Sequence, residues 1–195
     1  MTQTNTRDLL IDEGLKALLS GGYDGTGIGP VLKAAGVPKG SFYHFFDSKE
    51  AFAGAVLDAY AARYGRARRE ILEDRSHPAL ERLRRYFTYM SELLSREEFG
   101  GCLFGNLALA SATRSPVFRE KLQKSFRAWQ GDLAAVLREA QGAREIADDL
   151  EPEETAAFLI DAYEGALLRA KSEGTSLPLE RFAHITLTRL LAPTT

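Results

Sequence analysis

This sequence predicts an all-α protein of about nine helices, on three observations. Apolar residues recur at helical spacing along almost the whole chain, no stretch alternates convincingly at strand period, and the connections are short and punctuated by glycine or proline. A chain of 195 residues, 45% of them hydrophobic, can bury one substantial core or a small domain fused to a larger one.

Asn5 or Thr6 can cap a first helix whose apolar face is Leu10 or Ile11, Gly14, Leu15, Leu18 and Leu19, and Gly21 and Gly22 supply a left-handed stop. A short second helix follows "TGIGP", with Pro30 in its first turn, where a missing amide hydrogen costs little, and breaks at Gly36. "GVPKG" forms a turn, and Ser41 to Phe46 a third helix. Asp47 or Ser48 caps a long fourth helix that carries Glu50 in its positive first turn and runs to "EDRSHP". Pro78 opens a fifth, with Leu80, Leu83, Phe87, Met90 and Leu94 on one face and Gly100 and Gly101 at its end. A sixth starts near Cys102 and carries Leu103, Leu107 and Ala110. Ser115 caps a seventh, with Pro116 at its first position and Phe118, Leu122, Phe126, Trp129 and Leu133 along it. "EPEETAAFLIDAYEGALLRAK" is the eighth helix, and Leu179 to Leu191 the ninth.

Lys plus Arg number 25 against 27 Asp plus Glu, a net charge of −2. That balance excludes attraction of the whole molecule to nucleic acid or anionic membranes, so any DNA binding needs a local patch. No apolar run approaches membrane-span length, and the polar start "MTQTNTRDLL" lacks the basic-then-apolar layout of a secretion signal. The single cysteine excludes an internal disulfide framework, and the expected compartment is the cytoplasm. His44, His77 and His184 stand apart from one another and from the cysteine, which gives no metal-ligand spacing. No phosphate-cradling glycine loop, nucleophile elbow or dinucleotide fingerprint is present, so no enzymatic activity, metal or cofactor is expected. Glu97–Glu98 and Asp148–Asp149 read as solvated helix ends, and Arg63, Arg66, Arg68 and Arg69 as a solvated helix face, with a patch that helps steer DNA as the other reading.

The densest information lies in "AAGVPKGSFYHFFDSKEAF", Ala34 to Phe52. On a helical wheel Phe42, Phe45 and Phe46 fall together, at i, i+3 and i+4, while Tyr43 and His44 point away. Three buried phenylalanines at about 1.5–3 kcal/mol each would anchor so short a helix firmly. Such anchoring has a purpose if the opposite face must fit something rigid. Two short helices joined by a tight glycine-containing turn form a helix-turn-helix, whose second helix enters the DNA major groove. Gly40 would let the backbone approach a duplex, Ser41, Tyr43 and His44 offer hydrogen bonds, and Lys39 offers charge, with Thr26 and Lys49 flanking the unit. By spacing alone, an ordinary αα corner inside a bundle fits equally well.

The first fifty residues resemble the TetR/AcrR family of bacterial transcriptional regulators, through "RDLLIDEGLKALLSGGYDGTGI" and "VLKAAGVPKGSFYHFFDSKEAF". The "AAGV…KG…FYHFF…SKE" core carries the likeness. The resemblance implies DNA contacts from Thr26, Lys39, Gly40, Ser41, Tyr43, His44 and Lys49, with Phe42, Phe45 and Phe46 as core. Two departures stand out. Gly14 replaces the usual Ala, which costs about 1 kcal/mol of helix propensity unless it permits closer packing. Gly27 and Pro30 replace polar residues at the start of the second helix, which predicts a late start.

The eighth helix resembles the penultimate helix of these regulators, whose last two helices pair with their two-fold mates. The resemblance implies a homodimer interface from Ala156, Leu159, Ile160, Tyr163, Leu167, Phe182, Thr186 and Leu190, helped by small residues such as Ala157, Ala162, Gly165 and Ala166. A buried helix of a monomer fits the same residues. A dimer would set two recognition helices about one duplex turn apart, roughly 34–36 Å, and so read a palindrome. The resemblance also implies an inducer pocket among the later helices, for which Phe87, Met90, Cys102, Phe104, Asn106, Phe126, Trp129 and Tyr163 are candidate lining; plain core is the other reading of the aromatics, which also include Phe99. Asn106 needs hydrogen-bond partners if buried.

"FGGCLFGN" puts Cys102 at the amino end of a helix, where the backbone amides favour a thiolate. Its Gly-Cys-Leu resembles regulators that respond to electrophiles and reactive aldehydes; a small buried hydrophobe with an inert thiol is the alternative. The combined expectation is a ligand-responsive repressor, with residues 1–48 a helix-turn-helix domain and 49–195 a sensing and dimerisation domain. It would bind palindromic operator DNA until a small molecule, or modification of Cys102, released it. The alternative is a helical ligand-binding or scaffold protein whose helix-turn-helix no longer binds DNA.

Overall fold

A computed structural model describes residues 6–94, 100–111 and 115–191. Among these, the chain forms α1 (Thr6–Gly25), α2 (Ile28–Ala34), α3 (Lys39–Phe45), α4 (Lys49–Leu72), α5 (Ala79–Leu94), α6 (Leu103–Ser111), α7 (Pro116–Gly142), α8 (Pro152–Glu173) and α9 (Leu177–Ile185), the last continued by a π-helical turn, Thr186–Leu190. No strand occurs among the described residues, and the all-α prediction holds. Asn5, Glu97, Glu98 and Phe99, and the side chains of Leu94 and Ala110, lie outside the described residues. No helix described is long and apolar enough to cross a membrane.

Packing divides the chain into two compact units, one from Met1–Arg63 and Cys102–Ser125, the other from Tyr64–Gly101 and Phe126–Thr195. The first therefore takes in more than residues 1–48: it adds the start of α4, all of α6 and the start of α7. Its core is organised around Phe42, which has no solvent exposure and packs against the rings of Phe46 and Phe52, each 5.4 Å away between centroids. Phe46 and Phe52 meet at 5.0 Å. Phe46 is not part of α3: its backbone is extended (φ −142°, ψ 124°), so its burial follows from the chain turning out of the helix. Phe45, expected in the same wedge, is only half-buried and sits edge-on to His44. The anchor is two residues of this short helix end plus Phe52 from α4, not three residues of one wheel face.

Gly14 explains itself in this packing. A β-carbon there would lie 2.3 Å from Phe52 Cζ and 2.9 Å from Val56 Cγ2, so only glycine lets α1 come this close to α4. The stop expected in "SGGYDG" occurs at Gly22 (φ 65°, ψ −174°), where the α1 path breaks although helical bonding resumes to Gly25. Between α2 and α3, Val37 N–H bonds to Leu32 carbonyl oxygen at 2.9 Å and Gly36 N–H to Lys33 at 3.3 Å, with Gly36 at φ 65°. This is the Schellman pattern, which closes the α2 carbonyls and turns the chain sharply. Pro38 then serves as the N-cap of α3. The α2 helix begins at Ile28, ahead of Pro30, and not late as its composition suggests; Gly27 caps it with extended backbone.

In the second unit one arginine of α4 and one of α5 are held inward by ion pairs. Arg68, expected on a solvated face, is buried and bonded to Asp132 of α7 at 2.7 Å. Arg82, also buried, donates to the Leu72 carbonyl oxygen at the end of α4 and to Glu139. That bond is the main reason the Glu139 carboxyl titrates below its ordinary range. Glu145 accepts from the Ala79 and Leu80 amides and so caps α5. The π-helical turn replaces the end of the ninth helix, which starts at Leu177, two residues before the expected Leu179.

Replacement of Gly14 by Ala should raise helix propensity yet destabilise the protein by about 1–3 kcal/mol, because the new methyl displaces the Phe52 ring. Urea unfolding monitored by circular dichroism checks this; an unchanged or raised midpoint would show that the helices can separate without cost.

Candidate nucleic-acid interface and sensor residues

The buried Phe42 fixes which side of α3 faces water. Tyr43, the next residue, is 63% exposed, and Lys39, Gly40 and His44 are exposed with it; Ser41 is half-buried. These residues occupy one short helix whose rear is held by aromatic contacts, so the outward groups form a rigid row of a charge, a bare backbone position, a phenol and an imidazole. An added β-carbon at Gly40 would meet nothing within 4 Å. Such a row can donate to phosphates and read base edges.

Thr26 does not belong to that row. It is 5% exposed, and its hydroxyl donates to the Gly22 carbonyl oxygen at 2.7 Å. The donor a phosphate would need is therefore used to close the end of α1. Lys49, by contrast, opens α4 half-exposed, its ammonium 4.7 Å from the centroid of the Tyr23 ring. Tyr23 belongs to this neighbourhood although sequence spacing gave no sign of it.

The candidate lining residues separate into two groups. Phe87, Phe126, Trp129 and Tyr163 belong to the second unit and share a chain of ring contacts: Phe126 stacks on Trp129, Trp129 meets Tyr163 at 5.8 Å, Tyr163 meets Phe182 at 5.9 Å, and Phe182 meets Phe87 at 5.1 Å. Met90 lies half-buried one turn further along α5. Cys102, Phe104 and Asn106 belong to the first unit, where Phe104 packs edge-on against Tyr60 at 5.1 Å. Cys102 is buried just before α6, and the Tyr60 hydroxyl donates to its sulfur at 3.9 Å. Asn106 is half-buried.

Of the residues expected at a dimer interface, the five on α8 form its inner face, and Phe182, Thr186 and Leu190 lie on α9 and the π-helical turn. Leu159 has no exposure, and Ala156, Ile160, Tyr163, Leu167 and Thr186 are all buried within the chain itself; Phe182 belongs to the aromatic chain above. Leu190 is half-buried. The reason is geometric: positions 156, 159, 160, 163 and 167 repeat at helical spacing, and a protomer must first cover that stripe itself. The opposite face leaves Phe158 56% and Leu168 62% exposed, with Gly165 exposed between them, and α9 exposes Ile185 at 51%. An apolar stripe with a glycine at its centre suits close approach of another helix.

Among the described residues, no group of three or more His, Cys, Asp or Glu side chains is placed to hold a metal. The family profile for bacterial regulatory proteins of the tetR family matches residues 10–56, and that for the tetracyclin repressor-like C-terminal domain matches residues 79–186. The HTH-type transcriptional repressor DhaR of Mycobacterium sp. (strain GP1) is 37% identical over 194 residues, covering 100% of this chain and 96% of that protein. A regulatory protein TetR of Rhodobacter sphaeroides superposes with a TM-score of 0.91 at 36% identity, over 97% of this chain and 100% of the other. The reduced form of Escherichia coli NemR does so with a TM-score of 0.90 at 30% identity, over 98% and 100%. The chain belongs to the TetR family of bacterial transcriptional regulators.

Proposed function

We propose that the protein is a cytoplasmic homodimeric repressor that holds a palindromic operator through α3 and is released by a small molecule. The observation that carries the DNA-binding part is the contrast in the middle of α3, with Phe42 fully buried and Tyr43 63% exposed. Lys39, Gly40, Ser41, Tyr43, His44 and Lys49 are the contacting residues in this reading, with Thr26 acting behind them as the turn that ends α1. That the similar DhaR is named a transcriptional repressor supports the negative sign of regulation. The alternative of a helix-turn-helix that no longer binds DNA has no observation in its favour.

Two protomers associate through the outer face of α8 and α9, centred on Phe158, Gly165, Leu168 and Ile185. The effector is an apolar or aromatic compound that engages the Phe87, Phe126, Trp129 and Tyr163 rings, with Met90 beside them. Phe104 takes part through its packing on Tyr60, and Asn106 offers a polar group to the effector. Cys102 is the group an electrophile would modify; its position at the amino end of α6 favours the thiolate, while burial opposes it. The change shifts the population toward a packing in which the two α3 helices no longer match the groove.

Gel shifts on the DNA upstream of the protein's own gene test the central reading. Affinity should fall steeply as salt rises, and Lys39→Ala and Lys49→Ala should each make the log–log slope shallower by about one; salt-independent binding, or no binding, refutes it. Phe158→Asp should yield a folded monomer in sedimentation with reduced operator affinity, and a dimer of wild-type strength would exclude this face. Cys102→Ser should abolish release by a small electrophile, and equal release in wild type and variant would remove the thiol from the mechanism.

A further inference from the structure

Lys49 sits in a closed ring of contacts drawn from three helices that are distant in sequence. Its ammonium lies over the Tyr23 ring, at the end of α1. Tyr23 in turn packs edge-on against Phe118 in the first turn of α7, centroids 5.1 Å apart at 76°. The α7 helix is capped by Ser115, whose hydroxyl oxygen accepts from the Phe118 amide at 3.2 Å. The same hydroxyl donates to Glu50 Oε1 at 2.5 Å, and Glu50 follows Lys49 in the first turn of α4. Ser115 is buried and Glu50 half-buried, so this bond is partly screened from water. All five residues belong to the first compact unit. Burial, then the Glu50 and Asp24 carboxylates, hold the Tyr23 phenol above its ordinary value.

Neither the family pattern at residues 34–52 nor the salt bridges explain why a solvent-facing lysine should be held in this way. A free lysine loses several rotamers when it settles on a phosphate, whereas one already seated over a ring loses fewer. We propose that Ser115 and Tyr23 are positioning residues for DNA binding: the cap of α7 fixes the start of α4 through Glu50, and Tyr23 holds the Lys49 ammonium where a phosphate meets it. This rests on the DNA-binding reading above, and it makes the start of α7 a second determinant of affinity, reached through a bond that spans 65 positions of sequence from Glu50 to Ser115. It also gives any movement at the α7 cap a direct route to a phosphate contact, without displacement of α3.

The test is a double-mutant cycle read by salt dependence on a random-sequence duplex, since phosphate contacts need no operator. Ser115→Ala and Tyr23→Leu leave the net charge unchanged. Each should weaken duplex binding and shrink the loss of affinity between 50 and 200 mM salt by about threefold, the share of one phosphate contact. In a Lys49→Ala background neither should have any further effect, and Ser115→Thr and Tyr23→Phe should restore the wild-type slope. Thermal midpoints will fall with loss of the cap in both backgrounds, which is why the slope and not stability is decisive. Equal weakening with and without Lys49, or a lowered midpoint with the slope intact, would overturn the proposal and leave Ser115 and Tyr23 as packing residues. A wild-type protein that shows no salt-dependent duplex binding would instead sink the regulator reading, and this proposal with it.

Discussion

The close approach of α1 to α4, with Phe52 and Val56 set against the bare Cα of Gly14, is the constraint on which the DNA-facing end of the molecule depends. It fixes the Phe52 ring, and Phe52 with Phe46 forms the seat for Phe42. A seven-residue helix has too few backbone hydrogen bonds to hold its own orientation. Burial of Phe42, at about 1.5–3 kcal/mol, supplies what the helix lacks. The Schellman turn at Gly36 sets the angle at which α3 leaves α2, so orientation and register are each fixed by a separate device. The rigidity of the outward row from Lys39 to His44 is a consequence of these inward contacts, and recognition of a duplex asks for that rigidity.

The same logic of a helix with two committed faces runs through α8. Its inner stripe, built on Leu159, Tyr163 and Leu167, completes the second unit, and its outer stripe of Phe158, Gly165 and Leu168 remains available. Ion pairs of two buried arginines, Arg68 with Asp132 and Arg82 with Glu139, tie α4 and α5 to α7 and offset part of what burial of the guanidinium groups costs. The polar residues thus fix which helix neighbours which, while the apolar stripes supply most of the burial.

Much of the fold could be read from helical spacing and from glycine and proline punctuation, because those signals are local. The stop at Gly22, the turn at Gly36 and the cap at Ser115 all fall where composition put them. Faces were harder. Spacing identified the Ala156–Leu167 stripe as apolar, but an apolar stripe does not say whether its own chain or a second one covers it. Thr26 looked like a surface donor because its hydroxyl's acceptor, the Gly22 carbonyl oxygen, is exposed only once α1 has broken. Phe46 keeps the helical i+4 spacing from Phe42 although its backbone has already left the helix. Contacts such as Glu50 with Ser115 or Lys121 with Asp58 span more than sixty residues and have no local signature. The likeness to the family carried the assignment of α3 beyond what its spacing allowed, since an αα corner would show the same periodicity.

Hydrogen exchange on the full-length protein, with and without a random-sequence duplex of about three helical turns at low salt, tests most directly whether the outward side of α3 is the DNA-binding surface. Added slowing of exchange confined to the Lys39–His44 segment and the start of α4 is the expected result. Protection that appears elsewhere in the chain while α3 exchanges as in the free protein would contradict the account.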